Sequence, residues 1–202
     1  MSIPLSNLAS GNLSLTEALE RVNSIQLSKR KKLSLGELGR ILWATQGVTK
    51  RDSGWIYPLR AAPSAGGLYP LEVYVVIDAE GVDKLSGGVY HYDPVEERLT
   101  LVKSGDYFAE ITKLLGLERD DSSLYLLICA IYSRTTVKYG KRGIMYVHNE
   151  LGHAALNALV ECASLNLVCK LVLIGSIPAV KALLHLNGEP LLLLKVSEAV
   201  EK

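Results

Sequence analysis

Arg60-Ala61-Ala62-Pro63-Ser64-Ala65-Gly66-Gly67-Leu68-Tyr69-Pro70 runs directly into the apolar segment Leu71-Glu72-Val73-Tyr74-Val75-Val76-Ile77. This junction constrains the fold more than any other stretch of the chain. The prolines remove backbone donors and fix φ, and two adjacent glycines admit conformations that side chains forbid. The β-branched and aromatic run behind them reads as a core strand. A turn nearly bare of side chains beside such a strand offers backbone N–H groups to whatever lies against it, which suits a flat or anionic ligand. For a Gly-Gly pair taken alone, a tight turn that merely feeds a strand is the plainer reading.

The 202 residues, 49% hydrophobic and 21% charged, supply a single domain over 1–202 with ample core. A net charge of +1 gives no general attraction to nucleic acid. The basic cluster Lys29-Arg30-Lys31-Lys32 reads as a solvated connection, with phosphate contact as the lesser alternative. Cys129, Cys162 and Cys169 are scattered in apolar surroundings without metal-ligand spacing, so free thiols in a reducing compartment are expected. Runs such as 124–132 are too short to span a bilayer, and Met-Ser-Ile-Pro-Leu has neither a basic start nor a long apolar core. A cytoplasmic protein with neither membrane nor nucleic-acid partners is the expectation.

Periodicity predicts a short amphipathic helix over 13–25. It predicts a second from Ser34, three residues before Glu37 in capping-box spacing, to Gly47. A hairpin is expected over 87–102, turning at Asp93-Pro94-Val95-Glu96-Glu97, and a helix over 106–116. Leu124 to Ile131 reads as a strand buried on both faces. A long alanine-rich helix from about Arg142 to Asn166 follows, with Gly152 allowing close approach of another helix. A strand over 168–174, a helix over 178–186 and a strand over 190–196 complete an α+β domain: helices around a central, mostly antiparallel or mixed sheet.

From Leu33 to Val196 the chain resembles the nitroreductase-like flavin oxidoreductases, especially the branch holding the thiazoline and oxazoline dehydrogenases of peptide-modifying systems. The likeness rests on collinear blocks: Leu33-Ser34-Leu35-Gly36-Glu37-Leu38 with Leu42-Trp43-Ala44-Thr45-Gln46-Gly47, then Arg60 to Pro70, then Gly88-Val89-Tyr90-His91-Tyr92-Asp93-Pro94. Lys138-Tyr139-Gly140-Lys141-Arg142-Gly143, Glu150-Leu151-Gly152-His153 with Asn157, and Leu173-Ile174-Gly175-Ser176 follow in order. The resemblance implies an FMN-binding fold and a homodimer with two flavin sites at the subunit interface. By match, Pro63, Ser64, Ala65 and Gly67 lie against the flavin ring, and Gly175 and Ser176 supply backbone donors.

The family's phosphate signature, Arg-x-Ser-x-Arg or Lys on the first helix, has its nearest match in Val22-Asn23-Ser24-Ile25-Gln26. Ser24 is retained, Arg21 stands one place out of register, and Gln26 replaces a cation that a phosphate prefers. Arg21, Asn23, Ser24 and Gln26 are therefore the expected phosphate-side residues, with the Lys29–Lys32 run as a substitute source of charge. The chain also lacks, after its last strand, the cationic stretch that often reaches the phosphate in relatives.

Lys138-Tyr139 matches the Lys-Tyr pair of the azoline dehydrogenases. Oxidation of an azoline removes a carbon-bound proton while hydride leaves for the flavin, so a lysine or tyrosine over the ring has a role as base. The plainer alternative places the pair at the end of a loop before the long helix. Glu150, His153, Asn157 and Glu161 share one helix face, read as polar rather than metal-binding. His91 and His185 read as structural, Trp43 as core, and Trp55 and Tyr57 as open between wall and core. Two functions follow. One is an FMN-dependent oxidoreductase moving hydride between an azoline, nitro or quinone substrate, or reduced nicotinamide, and flavin N5. The other is a flavin-free or weakly binding relative serving as a structural or peptide-docking subunit.

Overall fold

The computed structural model describes residues 1–5, 8–22, 27–52, 54, 57–116, 121–174 and 177–200. Its strands are β1 (Ser2–Pro4), β2 (Leu27–Lys29), β3 (Val48–Lys50), β4 (Leu59–Arg60), β5 (Leu71–Ile77), β6 (Gly88–Asp93), β7 (Arg98–Ser104), β8 (Leu124–Ala130), β9 (Leu167–Leu173) and β10 (Glu189–Val200). Its helices are α1 (Leu15–Val22), α2 (Leu35–Gln46), α3 (Phe108–Leu114), α4 (Ser133–Tyr139), α5 (Arg142–Ser164) and α6 (Pro178–Leu184). One sheet runs β1-β7-β6-β5-β8-β10-β2, with β9 also pairing β10, and β3 and β4 form a separate ribbon. Every strand pairing is antiparallel, so the α+β expectation holds with an antiparallel sheet.

Alternation along β5 divides the interior into two cores. Val73, Val75 and Ile77 join Leu126, Ile128 and Leu194 beneath α2 and α5, where Leu38, Ile41, Val147, Ala154 and Ala158 close the layer. Tyr74 and Val76 face the other way, with Tyr125, Leu127 and Leu193, under Ile111 of α3 and Val180 and Leu184 of α6. All seven residues of β8 are buried, as its unbroken apolar run requires of a strand covered on both faces.

α2 starts as its sequence predicts: the Ser34 side chain accepts from Glu37 N at 3.2 Å, and the Glu37 carboxylate accepts from Ser34 N at 2.7 Å. The helix stops at Gly47. The hairpin forms from β6 and β7. Three features differ from the sequence reading. Residues 133–139 are helical rather than loop, although Thr135, Thr136 and Val137 are poor helix formers. β10 runs twelve residues, because it has β8, β9 and β2 to pair with along its length. The basic cluster is largely exposed, as a solvated connection is, but its cations are paired rather than spare. Lys29 meets Glu198 at 3.1 Å, Arg30 meets Asp78, Lys31 meets Glu37 at 2.8 Å, and Lys32 meets Asp83 at 3.7 Å. These four pairs tie the segment after β2 to the sheet and to α2, and commit its cations to carboxylates.

Replacing Leu126, fully enclosed in β8, by alanine is expected to cost about 2–5 kcal/mol in urea unfolding. Ser34→Ala, which removes only the cap of α2, is expected to cost about 1 kcal/mol in the same measurement.

Candidate functional site

Between β4 and β5 the chain makes a 3₁₀ turn over Ala65–Gly67. Gly66 has φ 67° and Gly67 φ 64°, left-handed values that a side chain resists. Gly67 N donates to Ser64 O at 3.1 Å and Tyr69 N to Ser64 Oγ at 2.9 Å. Ser64 therefore pins both ends of the turn on itself. Among the described residues, the N–H groups of Ala65 and Gly66 meet no acceptor, as expected at the start of a 3₁₀ turn. Pro63 is exposed, and Ser64, Ala65 and Gly67 are half-buried.

The α4–α5 corner brings a second group of residues to this turn. α4 ends at Gly140, φ 56°, whose N–H closes on Thr136 O at 2.8 Å. A Cβ on Gly143 would lie 2.8 Å from Thr136 Cα, so the two helices cross at a distance only glycine permits. That tight corner aims the last residues of α4 at Gly66. A Cβ built on Gly66 would stand 2.6 Å from Tyr139 Oη and 3.0 Å from Lys138 Nζ. Lys138 Nζ also lies 5.4 Å from the Tyr139 ring, and Tyr146 of α5 packs edge-on against that ring at 5.0 Å. Lys138 and Tyr139 thus end a helix rather than a loop, and both reach the glycine of the turn.

Behind the turn lies Glu150 of α5, only 1% exposed. Burial pushes its carboxyl up to about 7, while the facing Ser64 hydroxyl, Gln46 and the Arg60 charge pull the other way. Gln46 Nε2 donates to Glu150 Oε1 at 3.3 Å, and Arg60 Nη1 donates to Gln46 Oε1 at 3.2 Å. Asn157, two turns further along α5, donates to Ala61 O at 3.3 Å. One face of α5 therefore fastens the turn from below. The helix face read as generally polar splits: Glu150 and Asn157 hold the turn, Glu161 pairs with Arg40 at 2.8 Å, and His153 is exposed. Among the described residues, no cluster of His, Cys, Asp or Glu could hold a metal ion.

The phosphate-side expectations divide differently. Arg21 Nη1 donates to Asn166 Oδ1 at 2.6 Å, just past the far end of α5. At 1.5 Å per residue that lies about 20 Å along the helix from Glu150, so one chain does not bring Arg21 to the Pro-Ser turn. Asn23, Ser24, Gln26, Gly175 and Ser176 lie outside the described residues, as does Trp55. Cys129 and Cys162 are buried free thiols, and Cys169 is half-buried. Trp43 is half-buried, its Nε1 bonded to Val48 O at 3.3 Å. His185 sits in the left-handed cap of α6.

His91 is not the isolated residue its sequence position suggests. Its Nε2 meets Glu72 Oε2, whose other oxygen accepts from Arg134 Nη2, and Arg134 Nη1 donates to Tyr69 O at 3.0 Å. Burial pushes the Glu72 carboxyl up, but the hydrogen bond with His91 and the charge and hydrogen bond of Arg134 together hold it below its usual range. Arg60 and Glu72 lie within the Pro-Ser segment and its strand but carry no role assigned by the sequence there, and Arg134 lies outside every collinear block. Glu72 and His91 become neighbours only through the β5–β6 register, which sets Tyr74 against His91.

The sheet, the glycine turn and the helix corner recur in known proteins. The model of the nitroreductase family matches residues 24–196. The chain belongs to the nitroreductase family. MJ1384 of Methanocaldococcus jannaschii, named as a candidate nitroreductase, is 34% identical over 195 residues, covering 94% of this chain and 93% of that protein. The microcin B17-processing protein McbC of Escherichia coli is 27% identical over 154 residues, 73% of this chain. The match spans 55% of McbC, about half its length. The crystal structure of a candidate nitroreductase from Ralstonia eutropha superposes with a TM-score of 0.80 at 26% identity, covering all of this chain and 90% of the other. The likeness in sequence and fold makes this chain a nitroreductase-family oxidoreductase. Among the described residues, no helix of this family member is long and apolar enough to cross a membrane.

Two outcomes follow from the site's geometry. Gly66→Ala is expected to destabilise the protein by about 1–2 kcal/mol through the left-handed φ, and to displace Tyr139, read as a changed tyrosine fluorescence. Glu150 keeps its proton in the folded state up to about pH 7 but loses it near 4.5 when unfolded. Stability therefore falls as pH rises through that window. Urea titrations from pH 5 to 8 should show Glu150→Gln gaining up to about 3 kcal/mol on the parent protein; parallel curves would contradict this.

Proposed function

We propose that this oxidoreductase binds FMN against the Pro63–Gly67 turn and acts as a homodimer with two flavin sites between the subunits. The observation that carries the reading is the convergence of Lys138 and Tyr139 on Gly66. The donor set fits the cofactor: two N–H groups without an acceptor, an ammonium and a phenol surround one glycine, and reduction of a flavin places negative charge where such donors favour it. Bound FMN supplies a two-electron acceptor and donor of hydride.

The chain's own residues do the rest. Ser64, held by Tyr69 N and facing Glu150, keeps the turn's N–H groups directed outward. Tyr139 Oη exchanges a proton with the substrate, and the Lys138 ammonium stabilises the negative charge left on the phenol oxygen. In azoline oxidation that proton is carbon-bound and Tyr139 accepts it as the phenolate, its own proton having passed to solvent before the substrate binds; with a nitro or quinone substrate Tyr139 donates as the phenol. McbC is named for processing microcin B17, which favours a modified peptide among these classes.

The proposed dimer is supported by what one chain leaves apart and uncovered. Arg21 and the Pro-Ser turn lie at different ends of α5, so a site using both needs a second copy. Met145 and Leu156 on the outer face of α5 are 54% and 48% exposed, and Gly152 between them looks into open space. A stripe of this kind suits packing against its own twin.

Purified protein mixed with micromolar FMN is expected to develop a bound-flavin spectrum; failure to do so would favour the flavin-free docking subunit. Tyr139→Phe and Lys138→Met should slow turnover by about 10²–10⁴-fold with that spectrum intact. Loss of the spectrum instead would reassign the pair to cofactor binding. Leu156→Glu should convert dimer to monomer in sedimentation and release FMN together; a monomeric parent protein would remove the shared site.

A further inference from the structure

On the other side of Leu68 and Tyr69 from the glycine turn, a cleft of about 450 Å³ opens where β5 begins and β6 ends. We propose that this cleft binds an aromatic carboxylate, with Arg60 as the anchor for its anionic group. The proposal rests on the flavin reading only in treating that acid as a substrate presented beside the redox site.

The cleft's volume suits one or two fused rings. Tyr57, Leu68, Tyr92, Pro94 and Val95 give it apolar walls. Its charged groups differ in how far they are satisfied. Both oxygens of Glu72 are taken, by Arg134 and His91, and Arg134, whose charge is paired there, also donates Nη1 to Tyr69 O. Asp93 Oδ1 accepts from Val95 N at 3.0 Å and Glu96 N at 3.1 Å, closing its own turn.

Arg60 is different. Its guanidinium stacks on Tyr69 at 4.4 Å, its backbone N donates to Tyr69 Oη at 3.1 Å, and Nη1 is held by Gln46. Among the described residues no carboxylate forms an ion pair with it, Nη2 meets no acceptor, and Nε is buried without a partner. A guanidinium stays charged in a protein, so burying it without a counter-ion is costly. The side chain is already clamped on one face and one edge, so a carboxylate arriving from the cleft pairs with Nη2 at little ordering cost, while the enclosed Nε gains only from the added negative charge nearby. The walls then receive the ring. A neutral isostere with the same ring offers an acceptor but no counter-charge, and the site discriminates on charge.

The test uses 2-naphthoate and 2-naphthamide, titrated calorimetrically into the full chain, both stripped of flavin and with FMN added. The acid should bind at least about tenfold more tightly than the amide in both states. Arg60→Gln should abolish that preference while leaving the amide's affinity in place. Inorganic phosphate at the same concentration should not displace the acid. Should Arg60→Gln fail to fold, amide NMR shifts on the parent protein decide: naphthoate should move Leu71–Val73 and His91–Val95. Equal binding of acid and amide, no binding, a preference surviving in Arg60→Gln, displacement by phosphate, or shifts elsewhere would each overturn the assignment. Absence of FMN binding sinks the flavin reading but leaves this titration interpretable, so the two failures remain distinct.

Discussion

Glu150 sits where burial opposes its charge, and it stays there because three segments need the same acceptor. Gln46 at the end of α2 donates to it, the Ser64 hydroxyl of the glycine turn faces it, and Arg60 reaches it through Gln46. A carboxyl 1% exposed with this little compensation would weaken an ordinary core. Here it joins the long helix, the preceding helix and the turn into one unit. The N–H groups of Ala65 and Gly66 are left without an acceptor among the described residues while the Ser64 hydroxyl and carbonyl are already engaged. The network's partly unfavourable energetics and the turn's readiness for a ligand are one arrangement seen from two sides.

That unit shows which parts of the molecule were legible in the sequence. α2 was legible to its last residue, because the Ser34–Glu37 box and Gly47 are local chemistry. β8 was legible because an unbroken apolar run admits few other fates. α4 was not, since Thr135, Thr136 and Val137 argue against a helix. What holds it is tertiary: the corner at Gly140 and the close crossing at Gly143. The Pro-Ser turn announced itself through its glycines. The residues beneath it stood in matched blocks, but their joint role was not legible, because Gln46, Arg60 and Glu150 are scattered over a hundred positions and meet only after the sheet and helices assemble. A helix face carrying Glu150, His153, Asn157 and Glu161 looked uniformly polar, yet folding sends two of these inward, one to an ion pair and one to solvent.

The basic run teaches the converse lesson. Lys29 to Lys32 looked like spare charge that a phosphate might use, but each cation has a carboxylate, and together they fix the segment between β2 and α2. Exposed pairs of this kind contribute little each, so their effect is chiefly to set position. Charge for a cofactor phosphate must then come from elsewhere. Within the described residues of one chain, Arg21 is turned to Asn166, away from the glycine turn. In the proposed dimer, the uncovered apolar face and the divided site would be answered by one and the same partner.

Leu68 and Tyr69 separate two environments of opposite character. On one side are backbone donors, an ammonium and a phenol gathered round Gly66; on the other is an apolar cleft with a guanidinium at its floor. Tyr69 serves both. Its N–H is fixed on Ser64, its carbonyl on Arg134, its hydroxyl on Arg60 N, and its ring beneath the Arg60 guanidinium. With its N–H, its carbonyl and its ring engaged and 4% exposure, Tyr69 is a wall common to the turn and the cleft. On the proposed reading, a ring held against Tyr69 would stand at a fixed offset from Lys138 and Tyr139, the positioning that proton exchange at the proposed redox site would require.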